Sequence, residues 1–159
     1  MQTFLPFPDL AASAAALDDR RLGKQRVEAL QILNALLVPG HGYRHHPAAR
    51  MWRGWEPALA AYGLAICAEW VSRGRADTCA VKIAERLGAP VPSWDELAAA
   101  GEVPAWIGDP DFHAAHRSNL VRKVPAYYRL RFGDVPDDLP YVWPVGRSGG
   151  DVAPLGQDQ

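Results

Sequence analysis

No stretch of this 159-residue chain approaches the roughly 18 apolar residues that a membrane-spanning helix needs. The start, MQTFLPFPDL, lacks the basic residues, apolar stretch and small-residue cleavage site of a secretory leader, so a cytoplasmic protein is expected. Cysteine is scarce. Cys67 and Cys79 lack metal-ligand spacing, and both are expected to be reduced and buried. There is no HExxH pattern, paired Cys/His set, glycine-rich phosphate loop or GxSxG elbow. Those absences argue against zinc hydrolases, P-loop nucleotide enzymes and serine hydrolases, and no metal or cofactor is expected. Alternating apolar and polar runs, internal repeats and interdomain linkers are also missing.

What is present reads as a single helical domain. With 48% hydrophobic and 22% charged residues, the chain has the composition of a globular protein with a core. Asp9, after Pro8 and before LAASAAAL, is placed to cap a short first helix. A longer helix is expected from Asp18 or Asp19 to about Leu37, where Val38-Pro39-Gly40 stops it. Its apolar residues Leu22, Val27, Leu30, Leu33 and Leu37 predict a core-facing stripe. Pro47 can open a short helix, and Glu56-Pro57 opens the most apolar stretch, the expected buried centre. Further helices are expected over 78–87, around SWDELAAAG and over 111–123. The expected fold class is all-α, compact and single-domain over residues 1–144, with 145–159 a disordered tail.

A net charge of −1 gives no overall attraction to a polyanion, but the charge is segregated. The first 55 residues carry Arg20, Arg21, Lys24, Arg26, Arg44, Arg50 and Arg53 against Asp9, Asp18, Asp19 and Glu28. Residues 117–133 carry Arg117, Arg122, Lys123, Arg129 and Arg131 with no acid at all. A basic face on a neutral protein is therefore possible, as is a solvated surface with chance clustering.

Three groups could carry chemistry. Glu28 shares a helix face with Arg21, Lys24, Gln25 and Gln31, opposite the apolar stripe. It is either a solvated partner of Lys24 or a carboxylate kept among donors for a purpose. The loop VPGHGYRHHP brings His41, His45 and His46 together, suited to a phosphate or a leaving base rather than to a metal. Tyr127, Tyr128 and Phe132 interleave with Arg129 and Arg131, just after Arg122 and Lys123. That mixture suits nucleic acid, with guanidinium groups on phosphates and rings on bases, and equally suits a terminal helix docking its rings into the core.

Read together, four ordered blocks resemble the phage pyrimidine-dimer DNA glycosylase family, the endonuclease V of the dimer-excising kind. They are MQTFLPFPD; LDDRRLGKQRVEALQIL; the span from HHPAARMW to LAICAEWVSRG; and RKVPAYYRLRFG, together covering about residues 1–133. The resemblance implies a compact all-α, cytoplasmic, monomeric repair enzyme acting on double-stranded DNA. It implies that a base is extruded and C1′ of the damaged nucleotide is attacked by the chain's own α-amino group. The resulting imine permits β-elimination, so glycosylase and lyase activities share a site. Glu28 falls where the family keeps its catalytic glutamate, and Met1 lies opposite the family's amine nucleophile. Arg21, Lys24, Arg26, His45, His46, Arg50, Arg122, Lys123, Tyr127, Tyr128, Arg129 and Arg131 are the implied DNA contacts. The chain departs from the family in two places. Val27 stands where the family has an arginine before the glutamate, and Gln2 follows Met1 where phage enzymes expose a small residue. The initiator Met is expected to remain before so large a side chain, so the mechanism uses either the Met1 amine or a water activated by Glu28. A glycosylase for another modified base, and a non-catalytic binder of DNA structure, are the alternatives at this point.

Overall fold

Local chemistry sets the helix ends. In a computed structural model describing residues 1–147, the Asp9 carboxylate accepts from Ala12 N–H at 2.7 Å and starts α1 (Leu10–Ala16). Proline stands in the first turn of α3 (Pro47–Trp52), α4 (Glu56–Ser72), α7 (Pro110–Lys123) and α8 (Pro125–Phe132). Gly88 closes α5 (Cys79–Leu87) in the left-handed conformation, and Ser93 caps α6 (Trp94–Ala99). With α2 (Asp19–Leu37) these make eight helices and no strand among the described residues, so the fold is all-α. No described helix is long and apolar enough to cross a membrane.

The apolar α4 is the centre, with α1, α2 and α5 packed on it. Small residues allow that packing. A Cβ on Gly63 would lie 2.8 Å from Ile83 Cδ1 and 3.2 Å from Ala29 Cβ, so three helices meet closely there and a methyl group would displace the end of the Ile83 side chain. Cys67 and Cys79 lie unpaired near this junction, and burial pushes the Cys67 thiol up to about 12.

The face of α2 that is buried differs from the apolar stripe read in the sequence. Leu22 and Leu33 are buried, but Val27 is 42% exposed and Leu37 39%. The buried set is Leu22, Gln25, Glu28, Ala29, Ile32, Leu33 and Ala35. Two polar side chains join the core face because an extended N-terminal segment lies along them and supplies their hydrogen bonds.

That segment behaves as a strand without a sheet. An isolated extended backbone must find partners for each buried N–H and C=O, and here side chains supply them. Phe4 N–H donates to Gln25 Oε1 at 2.9 Å, and Leu5 N–H donates to His116 Nδ1 at 2.9 Å. Leu5 C=O lies 2.7 Å from His113 Nδ1, and Pro6 C=O accepts from Arg117. Trp52 Nε1–H donates to Thr3 Oγ1, while Ser13 holds Phe7.

The histidine pair gives this anchor a pH dependence. Gly108 N–H donates to His113 Nε2, so the proton offered to Leu5 C=O sits on Nδ1. Burial holds the His113 imidazole below its ordinary value and drives His116 down to about 3. A folded value below the unfolded one means stability is complete above about pH 6.5 and is lost as the pH falls toward 3. Each such group contributes a slope of up to about 1.4 kcal/mol per pH unit. Melting temperatures measured from pH 7 to pH 4 should therefore fall, and the fall should be shallower in His116→Asn. Equal slopes in the two proteins would show that His116 does not carry the effect.

The proline-rich exit after α8 returns across the molecule. Leu139 N–H donates to Ser118 Oγ, and Leu139 C=O accepts from Asn119 Nδ2. Gly146 N–H and Arg147 N–H then donate to the carbonyls of Arg50 and Arg53 beside α3, and Arg147 pairs with Glu102 at 2.6 Å. Contacts thus continue three residues past the boundary expected at 144. Residues 148–159 of the expected tail lie outside the described residues.

Candidate active site

Glu28 sits at the middle of the buried polar face of α2. At 7% exposure it is not the solvated surface carboxylate that helix periodicity alone suggested. Gln2 N–H donates to its Oε2 at 3.1 Å, and Gln25 Nε2–H donates to the same oxygen at 2.9 Å. The other oxygen, Oε1, stands 3.6 Å from Lys24 Nζ, whose side chain is 72% exposed. One oxygen is thus anchored by two neutral donors, and the other faces an exposed ammonium.

The bond from Gln2 N–H fixes where the chain's first residue lies. The covalent path from Gln2 N to the Met1 nitrogen spans at most about 3.7 Å, which puts the amine within about 7 Å of Glu28 Oε2.

These groups open into a cleft of about 430 Å³. Its floor is Met1, Gln2, Phe4, Gln25 and Glu28; its rim carries Arg20, Arg21, Lys24 and Lys123; its aromatic wall is Tyr141 and Trp143. A depression of about 390 Å³ between α2 and α5, lined by Leu30, Asn34, Lys82, Glu85 and Arg86, shares no residue with it. The cleft brings together groups far apart in sequence: the N-terminal segment, one face of α2, the end of α7 and the returning exit segment.

His46 borders the same region. Its Nδ1 accepts from Ala48 N–H at 3.1 Å, which leaves the proton of the neutral ring on Nε2. Burial holds its pKa down, the Met1 ammonium lowers it further, and the Glu28 carboxylate acts in the opposite sense. Its ring meets Trp143 edge-on with centroids 6.2 Å apart. Tyr141 stacks obliquely on Trp143 at 5.5 Å, and Phe4 lies 6.5 Å from Tyr141.

The other residues singled out in the sequence divide into two groups. Arg21 lines the cleft and pairs with Asp18 at 3.2 Å, while Lys24 and Lys123 are exposed on its rim. His45 and Arg50 are exposed, on the loop before α3 and on α3 itself. Arg131 is exposed and covers the Tyr127 ring at 3.6 Å. Arg26, by contrast, is spent inside the fold. It pairs with Asp77 at 2.5 Å and lies over the Trp70 ring at 4.4 Å, away from the cleft. Tyr128 is fully buried, with its hydroxyl bonded to Asp18, so its ring docks into the core rather than presenting a face to a base. Arg122 and Arg129 are held by backbone carbonyls of the exit segment, Arg122 at Asp137 and Leu139 and Arg129 at Gly133 and Val135. Both brace α7 and α8 against the returning chain.

Several cleft residues had no place among the sequence candidates. In the sequence Arg20 is only part of a basic run, and Gln25 only a helix neighbour of Glu28. Tyr141 and Trp143 lie in DVPDDLPYVWP, where large aromatics without helical periodicity are a usable signal for a site. Tyr62, buried behind the cleft with its hydroxyl 2.7 Å from Gln25 Oε1, carries no signal, because in an apolar helix it reads as core.

A family model described as "Pyrimidine dimer DNA glycosylase" matches residues 1–83, just over half of the chain. The match takes in the N-terminal segment, α1 to α4 and the first turn of α5. No curated protein and no solved structure matches.

Proposed function

The chain belongs to the pyrimidine dimer DNA glycosylase family, and from that premise we propose that it excises a damaged pyrimidine from double-stranded DNA and then cleaves the abasic site. The observation that carries this reading is the 3.1 Å bond from Gln2 N–H to Glu28, which seats the chain's terminal amine beside a buried carboxylate in a cation-rimmed cleft. The Met1 amine, in its neutral form, attacks C1′ as the bond to the base breaks and the base takes up a proton. Loss of a proton from nitrogen and opening of the sugar ring then give the imine. The Glu28 carboxylate stabilises positive charge on the sugar as the base departs, then takes the C2′ proton whose removal expels the 3′ phosphate.

Arg20, Arg21, Lys24 and Lys123 contact phosphates beside the extruded nucleotide, and His45, Arg50 and Arg131 extend that surface. His46 and Trp143 face the base. Stacking on an aromatic ring is worth about 1–3 kcal/mol per base, so Trp143→Ala should weaken binding of lesion-containing duplex roughly 5- to 150-fold. It should weaken binding of undamaged duplex far less, and fluorescence anisotropy on the two duplexes measures the difference. Equal losses on both would take Trp143 out of base recognition.

The activity is tested by incubating the protein with ultraviolet-irradiated and abasic duplexes, with and without borohydride. Strand cleavage and a covalent protein–DNA adduct are expected. If neither DNA is cut or trapped, the reading fails.

A further inference from the structure

Gln25 is 1% exposed and is bonded at both ends of its amide. Its Oε1 accepts from Phe4 N–H at 2.9 Å and lies 2.7 Å from the Tyr62 hydroxyl; its Nε2 donates to Glu28 Oε2 at 2.9 Å. A backbone N–H can only donate, so the amide oxygen must face Phe4 and the amide nitrogen must face Glu28. The flip is therefore set by the main chain. The Tyr62 hydroxyl, buried on α4, reinforces it. Burial first, and then the Glu28 charge, hold that phenol well above its usual range, so it stays a proton donor. Its single proton serves either Gln25 Oε1 or Phe4 C=O, which is 3.0 Å away.

We propose that Gln25 is a positioning residue for the reaction at Glu28, clamping the carboxylate with Nε2 and the N-terminal segment with Oε1, with Tyr62 locking the amide. This rests on the reading of Glu28 as the catalytic group. The clamp joins the two halves of the chemistry through one side chain. The same amide that orients the carboxylate also sets the register of the strand bearing the amine. Gln25 and Gln2 N–H together saturate Oε2, which leaves Oε1 as the oxygen free to act in the cleft. A neutral amide is the group this position needs. A lysine here would neutralise Glu28, a second carboxylate would repel it, and a hydrocarbon would leave Phe4 N–H without a partner.

Two near-isosteric variants separate positioning from packing. Gln25→Glu keeps the acceptor for Phe4 but sets a second carboxylate against Glu28. Gln25→Met removes the donor to Glu28, and the acceptor for Phe4 N–H with it, without adding charge. The Glu28 carboxyl resonance of ¹³C-Glu-labelled protein, assigned by its loss in Glu28→Gln, can be followed by NMR across pH. The midpoint should move to higher pH in both variants, by about one unit or more in Gln25→Glu and by less in Gln25→Met. The acid limb of the cleavage rate on irradiated duplex should move with it. An unmoved midpoint in either folded variant, whatever its melting temperature, overturns the proposal. The NMR measurement needs no turnover. A wild-type protein that cuts no DNA defeats the catalytic reading, while the Glu28 midpoint still decides whether the clamp exists.

Discussion

Glu28→Gln is expected to lower the rate of base excision by at least about 10²–10⁴-fold, the usual range for removing a positioned acid–base group. It should do so in a protein that still folds. The substituted side chain keeps the shape of the original, and its carbonyl oxygen can take the place of Oε2, accepting from Gln2 N–H and Gln25 Nε2–H. Only the pair with Lys24 is lost outright. Because Lys24 is mostly exposed, that pair stabilises the fold by no more than a few tenths of a kcal/mol, about what is measured for helix pairs at i,i+4. Single-turnover excision on irradiated duplex, set beside a thermal melt, reads both quantities. Wild-type rates in Glu28→Gln would end the assignment of Glu28 as the catalytic carboxylate. Collapse of the melt would instead show the carboxylate to be a structural group.

Adding one residue ahead of Met1 should reduce borohydride trapping by at least about 10²-fold, since displacements near 1 Å already cost that much in a positioned reaction. The extra residue moves the amine by up to about 3.8 Å. The segment cannot slide back to compensate. Gln2, Thr3, Phe4 and Leu5 each hold a different partner, namely Glu28, Trp52, Gln25 and His116. A one-residue shift would also send every side chain to the opposite side of an extended backbone. Duplex binding should change little, because the cationic rim is untouched. Mass spectrometry of the trapped peptide identifies the amine used. An adduct on Lys24, whose Nζ is 3.6 Å from Glu28, would replace Met1 as the nucleophile.

Much of the fold was legible from local signals. Asp9, Pro47, Pro57 and Gly88 mark helix ends for reasons confined to a few residues, and the structure places helix boundaries there. The site was legible only in part. Glu28 and Met1 are candidates through the resemblance that ordered blocks of residues carry, not through periodicity, which places Glu28 on a solvated face. Periodicity counts apolar residues and cannot register a polar face that another segment will cover. Arg26 and Tyr128 show the converse. Their residue types suit nucleic acid, but Asp77 and Asp18 take their polar groups into the fold.

The sequence by itself determined that the chain is helical, where most helices start and stop, and which family it belongs to. Those properties rest on neighbours within a few residues or on the order of blocks along the chain. Only the tertiary structure decided that Glu28 is buried, that Gln25 and Gln2 hold one of its oxygens, and that Tyr141 and Trp143 wall the cleft. These depend on contacts across long sequence separations. An extended N-terminal segment has too few hydrogen bonds of its own, so it folds only where side chains from α2, α3, α4 and α7 complete them.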